Sequence, residues 1–189
     1  MALLINIMND SHGPKHTLQS ILMEDELVDE IDSTGRTLRA VSKHKSHREG
    51  WLHRTVIGAV QDPDGNIVLV RQAPDRQDAG QFVAPVGGHV KAGETDDDAL
   101  RREALEEIGL SDITFELLGQ FIYDRHVIGR HENHLFVVYR ITADPAQIVL
   151  GPEAVEHRTF THTELEEALK TTPEIFGASY HELVRRLIY

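Results

Sequence analysis

Residues 88–110 read GHVKAGETDDDALRREALEEIGL, and this stretch decides the fold. Asp96, Asp97 and Asp98 suit the positive end of a helix dipole, and Gly109 stands where a helix stops, so a helix is expected over residues 95–108. Leu100, Ala104 and Ile108 recur every four residues and mark its buried stripe. Glu103, Glu106 and Glu107 project within about a 100° arc, away from that stripe. Three carboxylates so close repel one another. A solvated helix gains nothing from that crowding, whereas a hard divalent cation such as Mg2+ or Mn2+ prefers carboxylate oxygen. Arg102 and Glu94 are placed to pair and fix the preceding loop against the helix.

Outward from the helix, residues 55–61 and 66–72 alternate as strands around Asp62-Pro63-Asp64-Gly65, a turn in which Pro presets φ and Gly accepts positive φ. Further strands are expected within 24–31 around Leu27-Val28 and at 82–86, 113–123, 134–142 and 156–160, with closing helices at 163–170 and 174–188. Residues 1–22 read as a flexible extension, and 23–189 as one domain. Mixed strands with helices near the middle and end make an α+β chain, a three-layer α/β/α sandwich with a mixed central sheet.

The 189 residues carry 31 acids and 19 bases, a net charge of −12. Two segments hold nearly all of it: residues 24–32 with six acids and no base, and residues 94–107 with seven acids and two bases. The first reads as a solvated edge, the second as a cation site. Residues 35–54 are basic. Net acidity argues against a nucleic-acid partner. The chain has no cysteine, which excludes disulfides, thiolate metal sites and a cysteine nucleophile. No apolar run reaches membrane-spanning length, and the opening MALLINIM lacks a basic flank and a cleavage site. A cytoplasmic location and no membrane partner are the expectations; a homodimer is the commonest assembly.

The full spacing, G-x5-E-x7-R-E-A-x-E-E-x-G-L from Gly88 to Leu110, resembles the signature of the Nudix hydrolases, with Ala104 in the aliphatic slot as a mild departure. The resemblance implies a Nudix-type sandwich that hydrolyses a diphosphate linkage in a small molecule, such as a nucleoside diphosphate derivative, with Mg2+ or Mn2+. It implies Glu103 and Glu107 as main metal ligands, Glu106 as a further ligand or base, and a backbone carbonyl at Gly87 or Gly88. A general base from a later loop points to Glu153 or Glu156.

The N-terminal pattern, VDEIDSTG followed by SHREGWLHR, resembles the isopentenyl-diphosphate isomerase branch of the same superfamily. Enzymes of that kind hold a second metal with histidines and glutamates, which implies His53, His89 and Glu132 here; His47 matches only with a one-residue shift. The isomerase's essential cysteine is Gly87 in this chain, and His134 replaces its second, catalytic glutamate. Isomerisation needs a proton donor and acceptor on opposite faces of the double bond, so hydrolysis is the favoured reading. The intact glutamate set argues against a third reading, a non-catalytic nucleotide-binding module. Arg36, Arg54 and Arg71 are candidates for gripping phosphate, since arginine suits bidentate contacts.

Overall fold

A computed structural model of the chain describes residues 25–127 and 129–188; the extension expected over 1–22 lies outside the described residues. The spine is β3 (His53–Gln61), which runs parallel to β8 (Arg130–Thr142) from His53 beside His134 to Gln61 beside Thr142. Its other edge pairs antiparallel with β6 (Val86–His89) and then with β4 (Ile67–Gln72). The remaining strands are β1 (Leu27–Ile31), β2 (Thr37–Ser42), β5 (Phe82–Val83), β7 (Thr114–Val127) and β9 (Ala154–Phe160). The described helices include α1 (Lys43–Glu49), α2 (Asp96–Ile108), α3 (His162–Thr171) and α4 (Ala178–Leu183).

Strand alternation splits the core in two. Val56 and Val60 of β3, with Leu135, Val137 and Ile141 of β8, pack against Leu100, Ala104 and Ile108 of α2. Ile57, Phe136 and Val138 turn the other way, toward Leu165 of α3 and Tyr180 and Leu183 of α4. This is the expected α/β/α sandwich with a mixed sheet. Helix α2 begins where Thr95 accepts the N–H of Asp98 at 3.1 Å, and it ends at Gly109, whose φ of +72° suits a residue without Cβ.

Three local readings change. Residues 82–86 are not one strand: the chain breaks at Ala84-Pro85, where Pro85 has no N–H to donate, so β5 pairs with β4 and β6 with β3. The strands expected at 113–123 and 134–142 extend into one long hairpin, β7–β8. Its outer half is polar, held by cross-strand pairs such as Arg125 with Glu132 at 2.8 Å and His131 with Asp124 at 2.7 Å. That half lacks the apolar alternation that marks a strand.

The third change concerns the acidic segment 24–32, which is no solvated edge over its described residues. Strand β1 lies antiparallel to β2, so acids meet the basic stretch: Glu30 pairs with Arg39 at 2.6 Å and Glu26 with Lys43 at 2.8 Å. Among the described residues, no helix is long and apolar enough to cross a membrane.

Candidate active site

A cavity of about 610 Å3 is lined by β3, β4, β6, α2, the segment after β4 and the outer part of the β7–β8 hairpin. Glu103, Glu106 and Glu107 of α2 line it together with Gly87 and Gly88 of β6. The helix pitch that set the three carboxylates on one arc thus aims all three into one space. The Gly87 N–H donates to Glu107 Oε2 at 2.6 Å. A Cβ at Gly88 would overlap the Glu103 carboxylate, so glycine is what lets β6 approach the helix this closely.

Arg102 organises the rim. Its Nη2 lies 2.8 Å from Glu94 Oε2 and 3.0 Å from the His89 carbonyl oxygen, and its Nη1 bonds Glu103 Oε1 at 2.5 Å. The pair with Glu94 expected from the sequence therefore forms. Burial pushes Glu107 up to about 8, against the Gly87 hydrogen bond and with the added repulsion of Glu103, Glu153 and Glu106. Burial also raises Glu103, more than Arg102 lowers it. Among the described residues Glu107 has no ion-pair partner, and Glu103 stays raised even beside Arg102. These carboxylates therefore fit a hard divalent cation.

Glu153 lines the same cavity and pairs with Arg76 at 3.0 Å; Glu156 lies outside, bound to Arg71 at 2.6 Å. The three arginines expected to grip phosphate are engaged elsewhere. Arg36 bonds Asp32 at 3.2 Å beside the β1–β2 turn, Arg71 stacks on Phe82 beside Glu156, and Arg54 bonds the Gly35 carbonyl and faces Asp96 at 3.8 Å. The cations that do line the cavity are Arg76, Arg125, Arg130, Arg102, Lys43 and Lys91. Arg125 and Arg130 were hidden in the polar half of β7–β8, where nothing in the sequence separates them from surface charge.

The second-metal set is also rearranged. Glu132 lines the cavity but is buried between Arg125 at 2.8 Å and Arg130 at 3.5 Å. Two guanidiniums satisfy its charge, and it does not join the histidines. His53 and His89 do meet, together with His47 and His134.

A family model described as the NUDIX domain matches residues 51–181. The chain belongs to the Nudix hydrolase family. Nudix hydrolases act on pyrophosphate bonds of small-molecule diphosphates and generally use divalent metal ions, and this chain is such an enzyme. It is 32% identical to an uncharacterised Nudix hydrolase of Streptomyces coelicolor over 150 residues, covering 77% of this chain and 80% of that protein. It is 24% identical over 180 residues to an isopentenyl-diphosphate Delta-isomerase of Photobacterium profundum, covering 89% of this chain and 97% of that one. A crystal structure of a Deinococcus radiodurans protein shares the fold, with a TM-score of 0.71 at 21% identity over 87% of this Nudix chain and all of the other.

Proposed function

We propose that this Nudix enzyme hydrolyses a nucleoside diphosphate derivative or a related small diphosphate, using Mg2+ or Mn2+ at Glu103, Glu106 and Glu107. The single observation that carries the reading is the convergence of these three carboxylates, two of them raised by burial, on one cavity that also holds several cations. When bound, the ion offsets diphosphate charge and acidifies water. The chain's own residues do the rest. Glu103, Glu106 and Glu107 would hold the ion at the reacting end, with a Gly87 or Gly88 carbonyl as a further ligand. Glu153 accepts the proton of the attacking water, and Arg76 at 3.0 Å holds that carboxylate in place. Arg125 and Arg130 take the place of Arg36, Arg54 and Arg71 in binding the anionic substrate.

The isomerase reading has less support: the chain contains no cysteine, and Gly87 has no side chain with which to move a proton. We also take the enzyme to be cytoplasmic, acting without nucleic acid or membrane.

The test is a metal-supplemented panel of nucleoside triphosphates, dinucleoside polyphosphates, ADP-ribose, sugar nucleotides and prenyl diphosphates. The expected result is metal-dependent release of phosphate or nucleotide from at least one class. No release from any class, or deuterium exchange into isopentenyl diphosphate, overturns the reading.

A further inference from the structure

Four imidazoles converge beside the carboxylates, each from a different element: His47 of α1, His53 of β3, His89 of β6 and His134 of β8. One ring nitrogen from each lies within 4.8 Å of all the others. His47 Nε2 is 3.2 Å from His89 Nε2 and 3.3 Å from His134 Nε2. A neutral ring nitrogen carries either one proton or one lone pair, so His47 Nε2 cannot serve two such neighbours equally well. His53 donates from Nδ1 to the Trp51 carbonyl at 2.7 Å, which leaves Nε2 as its free ligand atom. That Nε2 is buried and has no hydrogen-bond partner among the described residues.

A cation shared by all four nitrogens resolves both anomalies. With metal–nitrogen distances of about 2.0–2.1 Å, a tetrahedral zinc site places its nitrogens roughly 3.3 Å apart. The His47 contacts with His89 and His134 already have that spacing. Burial holds the rings in their neutral, ligating form, with His47 pushed down to about 4.

We propose that His47, His53, His89 and His134 form a closed tetrahedral centre for a borderline divalent transition ion, Zn2+ by preference, that ties four elements together and is not catalytic. It differs in ligands and in kind from the mixed set of histidine and glutamate that the isomerase likeness implies. His134 supplies a fourth imidazole, Glu132 is spent on Arg125 and Arg130, and four nitrogens leave no open position for substrate. Imidazole discriminates against Mg2+, so this centre and the carboxylate site load different ions. His89 is next to Gly88, whose backbone lies against Glu103, so an ion here also steadies the wall of the hydrolytic site. The inference does not depend on the hydrolase reading.

Protein purified without added metal is analysed for metal content by mass spectrometry, then exchanged with Co2+ and examined by visible absorption. About one transition ion per chain and the intense band of tetrahedral Co2+ are expected. Chelation lowers the melting temperature, His134→Ala and His47→Ala lose the ion, and Glu132→Gln keeps it. Three results overturn the proposal: no stoichiometric ion after reconstitution with Zn2+; a weak, octahedral Co2+ spectrum in the unmutated protein; or loss of the ion in Glu132→Gln. The wild-type spectrum decides the matter even if a histidine variant fails to fold. Mg2+-dependent turnover, assayed separately, reports only on the hydrolase reading.

Discussion

Arg102 grips Glu94 with two nitrogens at once, Nε on Oε1 at 2.9 Å and Nη2 on Oε2 at 2.8 Å, while reaching the His89 carbonyl oxygen at 3.0 Å. Both side chains are largely buried, and the fork locks the loop before α2, the helix itself and β6 into one frame. Removing it with Arg102→Ala leaves Glu94 unpaired and costs about 3 kcal/mol of stability. Arg102→Lys keeps the charge but not the fork, and recovers only part of that loss. Urea unfolding midpoints of the two variants check the order.

Glu107 makes the metal-free protein less stable as pH rises. Its folded pKa, about 8, lies above the 4.5 of a freely solvated glutamate, so between the two the native state binds more protons than the unfolded one. Stability contributed by the protonated form is complete below about 4.5 and is lost as pH rises through 8. Melting curves from pH 5 to 8.5 in chelator show the decline, and Glu107→Gln flattens it. Added divalent cation restores stability at the alkaline end for the unmutated protein and not for the variant.

Glu106 is the most exposed of the three carboxylates, its side chain 58% accessible, so it contributes little to the fold. Glu106→Gln therefore leaves the melting temperature within a degree or two, while turnover falls by at least about 10²-fold. Steady-state kinetics on any substrate found by the panel, alongside thermal melts, separate the two effects.

Gly88→Ala acts on the Glu103 carboxylate rather than on the backbone. The new Cβ overlaps the Glu103 carboxylate and displaces it, so metal affinity falls more than stability does. Titration of activity against Mg2+ concentration is expected to move to higher concentration, with the saturated rate reduced.

Arg130 is half-exposed and shares Glu132 with Arg125. Arg130→Gln removes one cation from the cavity and leaves Glu132 paired. KM for the diphosphate rises several-fold and becomes less sensitive to salt, with kcat nearly unchanged.

The legible part of this protein is local. The stripe of Leu100, Ala104 and Ile108, the arc of Glu103, Glu106 and Glu107, the stop at Gly109 and the Arg102–Glu94 pair all lie within one helix and the loop before it. The pitch of the helix alone relates them. The β3–β4 turn is legible for the same reason. Strand β2 and helix α1 were not, because residues 35–54 are polar and show no apolar rhythm; they fold where Glu30 of β1 and Glu26 just before it face them. The outer half of β7–β8 escaped for a like reason, its order coming from charge pairs across the hairpin.

By itself, then, the sequence determined the helix that carries the three carboxylates, its orientation to the core and the class of chemistry, because residues three and four apart on a helix have one spatial relationship. Only the tertiary structure decided which distant residues share the cavity. It sent Arg36, Arg54 and Arg71 to other partners, brought Arg125 and Arg130 in, gave Glu132 to those arginines, and gathered His47, His53, His89 and His134 at one point. Those meetings depend on the parallel register of β3 with β8 and the antiparallel register of β3 with β6, which place His53 beside His134 and Thr55 beside His89. Strand register is a long-range property: it is set by the packing of whole faces, and no spacing along the chain encodes it.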